Sequence, residues 1–217
     1  MRAVIFDMDG LLIDSEKVYW RVGREMAREF GKVLSDQTLG NMMGRAPLDS
    51  MSIYARDLQL RQSPQELLDL REKRVLDVMR RGVEPMPGLF ESLDQLRPHF
   101  KLAIATSAPM RFVDVVMESL PMRAYFDVIQ TSDDIMHGKP DPEIYLKAMA
   151  KLRVTPGESI VLEDSSNGCR AGKRAGAYVI AIPTEHTQPQ DFSFVDHIAA
   201  SLADAAAHIL RRATHVA

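Results

Sequence analysis

Short unbroken apolar runs punctuate this chain, and between most of them lie longer stretches with helical spacing. The runs are Ala3-Val4-Ile5-Phe6, Leu102-Ala103-Ile104-Ala105, Val128-Ile129, Ile160-Val161-Leu162 and Tyr178-Val179-Ile180-Ala181-Ile182. They are continuous rather than alternating and rich in β-branched residues, the pattern of parallel strands covered on both faces. Helices are predicted over Met110 to Leu120, Pro142 to Lys151 and Asn167 to Ala175, and the Ala-rich stretch from Ala199 to Ala207 is helix-forming sequence. Strands and helices in that order predict an α/β chain with a Rossmann-like, doubly wound parallel sheet.

Residues 15–86 break the alternation. Val18, Val22, Met26 and Phe30 recur every four positions, one face of a helix. Met51, Tyr54, Ala55 and Leu58 suggest another. Ser63-Pro64-Gln65-Glu66 combines an N-cap, proline at the first helical position and glutamate at the third, so a helix is predicted to start there and run to Met79. The segment holds no convincing strand and reads as an all-helical insertion after the first strand. Glu84-Pro85-Met86-Pro87-Gly88 has the composition of a linker. The expected division is therefore an α/β core of residues 1–14 and 87–217 and a helical cap of residues 15–86.

Composition narrows the function classes. The 217 residues carry a formal net charge of −3 with no long basic block, so nothing favours a nucleic-acid partner. Cys169 is the only cysteine, which excludes an internal disulfide and fits a reducing compartment. The N-terminus runs straight into a strand without signal-peptide architecture, and no run approaches the roughly 18 apolar residues a membrane helix needs. A cytoplasmic protein with no membrane partner is expected, and a monomer needs no added assumption.

In open α/β sheets, ligands bind beyond the carboxyl ends of the strands. The first strand ends at Asp7, with Asp9 two positions on and Gly10 allowing a tight turn. The second ends at Thr106-Ser107, the fourth at Glu163-Asp164, and Gly138-Lys139-Pro140-Asp141-Pro142 places a lysine just before a helix start. Crowded carboxylates repel unless a cation joins them. Several carboxylates with one lysine make a hard-oxygen site suited to Mg²⁺, which favours carboxylates plus substrate phosphate. The hydroxyls of Thr106 and Ser107 offer donors to an anion, and Lys139 adds positive charge for phosphate oxygens. One carboxylate is then available as nucleophile and a second as general acid and base. Thr106 and Ser107 as helix caps remain compatible with this.

These same residues resemble the haloacid dehalogenase superfamily, in particular its phosphotransferases with a helical cap after the first strand. The matching pieces are "FDMDG" (Phe6 to Gly10), "ATS" (Ala105 to Ser107), "GKPDPEIY" (Gly138 to Tyr145) and "LEDSSNG" (Leu162 to Gly168), in the family's order. The resemblance implies that Asp7 is the nucleophile and a Mg²⁺ ligand, and that Asp9 is the general acid/base with its carbonyl on the metal. It implies that Thr106, Ser107 and Lys139 bind the phosphoryl group and that Asp164 completes the metal site, with Glu163 a further ligand or a support behind it.

Sugar-phosphate phosphatases and β-phosphoglucomutases share all of these motifs. The resembling mutases carry a histidine where this chain has Tyr19, and an arginine three residues after a cap glycine. Gly44 matches that glycine, but Pro47 takes the arginine position, with Arg45 nearby. Hydrolysis of a small phosphate ester is the expected reaction, with a phosphosugar mutase as its alternative and a non-catalytic binding module on the same scaffold as a third reading. Arg45 is the candidate for a distal anionic group of the substrate, while Tyr19 and Trp20 either meet a sugar or pack within the cap. A receiver-type signalling domain places its phosphoacceptor on a later strand, and no GxGxxG follows the first strand as a dinucleotide enzyme requires.

Overall fold

The apolar run at the N-terminus becomes the strand around which the core is built. The structure, a computed structural model, describes residues 1–42, 45 and 47–214. Strand β1 (Ala3–Phe6) is completely buried and pairs in parallel with β2 (Lys101–Ala105) on one side and β4 (Ser159–Glu163) on the other. Outward from β2 lies β3 (Val128–Gln130), and outward from β4 lie β5 (Tyr178–Ala181) and the two-residue β6 (His197–Ile198). Among the described residues these strands form one parallel sheet of order β3-β2-β1-β4-β5-β6. The strand order reverses beside β1, so the crevice beyond its carboxyl end is where such a sheet binds ligands.

One sheet face is lined by small residues, Ala3, Ala103, Ala105 and Ala181, with Ile5, Val161 and Val179 between them. That flat surface admits α7 (Glu143–Leu152) and α8 (Ser166–Arg174) closely. A β-carbon on Gly172 of α8 would lie 2.9 Å from Val179 Cγ2, so this helix packs against the sheet at a distance only glycine allows. The other face carries the larger Val4, Phe6, Leu102, Ile104, Ile160, Leu162 and Ile180, all buried, with Phe126 edge-on to Phe6 at 5.9 Å. Helices α5 (Leu89–Leu96), α6 (Met110–Ser119) and α9 (Leu202–Thr214) complete the core unit, with α5 and α9 packed on each other.

The chain divides into two compact units, Met1–Asp14 with Glu84–Ala217, and Ser15–Val83. The boundary on the return side falls before Glu84 because residues 84–86 are not a free linker. Asp14 N–H donates to the Glu84 carbonyl, Met86 N–H to the Leu12 carbonyl, and Ile13 bridges Pro85 antiparallel. In the second unit, α1 (Ser15–Glu29), α2 (Asp36–Met42), α3 (Pro47–Asp57) and α4 (Pro64–Met79) bury Val22, Met26, Met51, Tyr54, Leu67, Val75 and Met79. Buried Tyr54 donates its hydroxyl to the Gly23 carbonyl at 2.9 Å, and Arg74 forms a two-pronged ion pair with Glu29, tying α4 to α1. The capping box at Ser63 and Glu66 is formed from both sides.

Candidate active site

Register alone brings the acids together. Phe6 pairs with both Ile104 and Leu162, so the strands flanking β1 end level with it. Asp7 N–H continues the ladder to the Leu162 carbonyl at 3.0 Å, which fixes the backbone from which its side chain projects. Asp7, Glu163 and Asp164 are each buried, and one carboxylate oxygen from each lies within 4.8 Å of the others. Lys139 enters the cluster from the loop before α7, and a cis Lys139–Pro140 bond follows it.

The lysine's three N–H groups all have acceptors. Nζ donates to Asp7 Oδ1 at 2.6 Å, to Glu163 Oε1 at 2.7 Å and to the Ala105 carbonyl at 3.1 Å. Glu163 is held in turn by the Tyr145 hydroxyl on Oε1 at 2.8 Å, and by Ser165 N–H and Oγ on Oε2 at 3.0 and 2.9 Å. Burial lowers a lysine's pKa, but the carboxylates of Asp7 and Glu163 outweigh it and hold Lys139 well above its ordinary range. Burial pushes the Asp7 carboxyl up to about 7, with Glu163 and Asp9 adding repulsion and Lys139 opposing them. Burial beside Glu163 raises the Tyr145 phenol well above its usual range, so it stays protonated and donates.

Two glycines make room for this cluster. A β-carbon on Gly10, whose φ is +75°, would stand 2.6 Å from Asp164 Oδ2. One on Gly168, in the first turn of α8, would stand 1.7 Å from Glu163 Oε1. The negative groups outnumber the one buried cation, and their oxygens converge. A hard divalent cation fits that donor set: the site offers oxygen ligands, excess negative charge and little exposure.

The structure brings Asp7, Lys139, Glu163 and Asp164 into direct proximity and sets Thr106 and Asp9 beside them. Thr106 is fully buried; its Oγ1 accepts from Ala108 N–H at 3.0 Å and lies 3.5 Å from Asp9 Oδ2. Asp9 is half-buried and Ser107 is exposed. Helix α6 starts only at Met110, whose N–H is taken by Asp133 Oδ2 at 2.7 Å, so neither Thr106 nor Ser107 is its cap. Arg45 belongs to the helical unit, where it is exposed and donates Nε to the Asn41 carbonyl. Tyr19 faces the Arg71 guanidinium at 5.6 Å and Trp20 faces Arg24 at 5.7 Å. Gly44 lies outside the described residues. Tyr145, Ser165 and Gly168 received no role from the sequence, although all three stand inside the motifs quoted for the resemblance. A glycine in the first turn of a helix just after an acidic pair was the available signal.

The sequence model of the family described as haloacid dehalogenase-like hydrolase matches residues 4–182. A phosphorylated carbohydrates phosphatase from Thermotoga maritima is 36% identical over 181 residues, covering 81% of this chain and 82% of that protein. Hexitol phosphatase B from Escherichia coli K12 is 31% identical over 189 residues, covering 86% and 85%. A variant of CbbY from Rhodobacter sphaeroides, solved in complex with xylulose-(1,5)bisphosphate, shares the fold with a TM-score of 0.82 at 26% identity, covering 94% of this chain and 96% of that one. The chain belongs to the haloacid dehalogenase-like hydrolases, as the motif resemblance implied. Within that family it is an enzyme, a phosphoric monoester hydrolase.

Proposed function

We propose that this phosphatase hydrolyses a sugar phosphate through an aspartyl-phosphate on Asp7, with Mg²⁺ as cofactor. The observation that carries the reading is the buried Lys139–Asp7 pair at 2.6 Å beside the carboxylates of Glu163 and Asp164. The relatives named for phosphorylated carbohydrates and hexitols support the substrate class. Mg²⁺ would be held by Asp7, Asp9 through its carbonyl, and Asp164, and when bound it supplies positive charge that offsets the repulsion between carboxylate and phosphate.

The residues then have separate tasks. Lys139 holds Asp7 Oδ1 and, with Thr106 and Ser107, receives the phosphoryl oxygens. The Asp7 carboxylate attacks phosphorus, and the bond to the sugar oxygen breaks as Asp9 protonates that oxygen. Asp9, now ionised, takes a proton from water, which attacks the phosphorus; phosphate leaves and Asp7 is restored. Tyr19 and Pro47, standing where the resembling mutases carry histidine and arginine, support hydrolysis over mutation. Arg45 is assigned to substrate recognition, and the lone buried Cys169, whose thiol pKa burial pushes up, fits an enzyme of the reducing cytoplasm.

The test is phosphate release from a panel of hexose, pentose and hexitol phosphates with Mg²⁺. Release that stops with chelator and in Asp7→Asn is expected, from a few members of the panel. Release from none of them, or equal release by Asp7→Asn, would overturn the reading.

A further inference from the structure

The reaction as described leaves Tyr145 without a task. This residue lies on α7, has no exposed surface, and donates its hydroxyl to Glu163 Oε1 at 2.8 Å. The same oxygen accepts from Lys139, and the ammonium stands 4.9 Å from the centre of the Tyr145 ring. One side chain therefore touches the lysine's charge twice, directly with its π face and indirectly through the carboxylate.

Glu163 would otherwise be pinned from one side only. Ser165 fixes Oε2 through its N–H and Oγ, but Oε1 has Lys139 and Tyr145 as its two donors. Without the phenol, Oε1 loses one of these two donors, and the carboxylate, held by Ser165 at Oε2, is left to tilt with the lysine it locates. Lys139 would then be free to settle between Asp7 and the Ala105 carbonyl. A displacement of about 1 Å at a group that meets the reacting atoms can cost about a hundredfold in turnover.

We propose that Tyr145 is a positioning residue for Lys139, setting through Glu163 where the lysine's charge stands beside Asp7. This rests on the phosphatase reading, in which Lys139 meets the transferred phosphoryl group. The test uses Tyr145→Phe, which keeps the ring, and Tyr145→Leu, which removes it. Lys139 is 7% exposed with every N–H accepted, so its ammonium should give a slowly exchanging resonance in ¹⁵N-lysine spectra, assigned by its loss in Lys139→Met.

Recorded with Mg²⁺, that resonance should shift in Tyr145→Phe and broaden or vanish in Tyr145→Leu. Removing one hydrogen bond to a charged group should lower kcat/KM of Tyr145→Phe by about tenfold to a hundredfold, with Tyr145→Leu lower still. An unmoved resonance, or an unchanged kcat/KM in Tyr145→Phe, overturns the assignment. If the wild type hydrolyses no ester, the phosphatase reading fails, and the resonance alone decides whether Tyr145 positions the lysine.

Discussion

At the scale of single residues, the site is a set of charges that folding forces together. Asp7 shows the consequence. Its carboxyl is raised from 3.8 to about 7, chiefly by burial, so the folded chain holds that proton more tightly than the unfolded one. Below about pH 4 both states are protonated and the difference vanishes. Between about pH 4 and about pH 7 the unfolded chain ionises first, so stability falls as pH rises, then levels off. With chelator present, Asp7→Asn should lack that fall and gain on the wild type in melting temperature from about pH 5 to about pH 8; Mg²⁺ should narrow the gap. Parallel melting curves across that range would contradict the assignment. Asp7, Asp9, Lys139 and Asp164 were legible because residue types of one chemistry recur at strand ends. Tyr145 was not, since a buried tyrosine at helical spacing reads first as core. Gly168 was not, because the group it makes room for is defined only once β4 and α8 are packed.

The elements were legible in proportion to how much of their cause is local. The α4 start carries its whole reason in Ser63-Pro64-Gln65-Glu66, and the reciprocal cap forms: Glu66 Oε2 accepts from Ser63 N–H at 2.8 Å and Ser63 Oγ accepts from Glu66 N–H at 3.3 Å. Ser63→Ala should cost about 1 kcal/mol in urea unfolding of the helical unit, with activity of the core chemistry unchanged; a shift under about 0.3 kcal/mol would mean the cap is replaced by water. The buried strands follow from their apolar runs for the same local reason. Strand β6 escapes such reading because two residues, His197 and Ile198, carry no period and pair only where β5 offers an edge. The start of α6 at Met110 was legible from its pattern, but not the group that receives its first N–H, since Asp133 lies beyond β3 in the chain.

At the scale of the whole molecule, a sheet of order β3-β2-β1-β4-β5-β6 explains why residues as distant in the chain as Asp7, Lys139 and Asp164 meet in one cluster. Its reversal beside β1 gathers the ends of β1, β2 and β4, and the loop before α7 adds the lysine. The insertion of Ser15–Val83 leaves that arrangement intact, because Leu12–Asp14 and Glu84–Met86 pair with each other where the chain departs and returns. The order of the motifs already implied this architecture; the pairing that closes the core did not show, since Glu84-Pro85-Met86-Pro87 has a linker's composition. The central claim is that Asp7 carries the phosphoryl group, and it can be read directly. The wild type, mixed with a substrate found in the panel and Mg²⁺, then quenched in acid within the first turnover and digested, should yield phosphate covalently bound to the peptide containing Asp7, and none with chelator. Substrate turnover with no phosphorylated peptide, or with phosphate on a peptide lacking Asp7, would contradict the account.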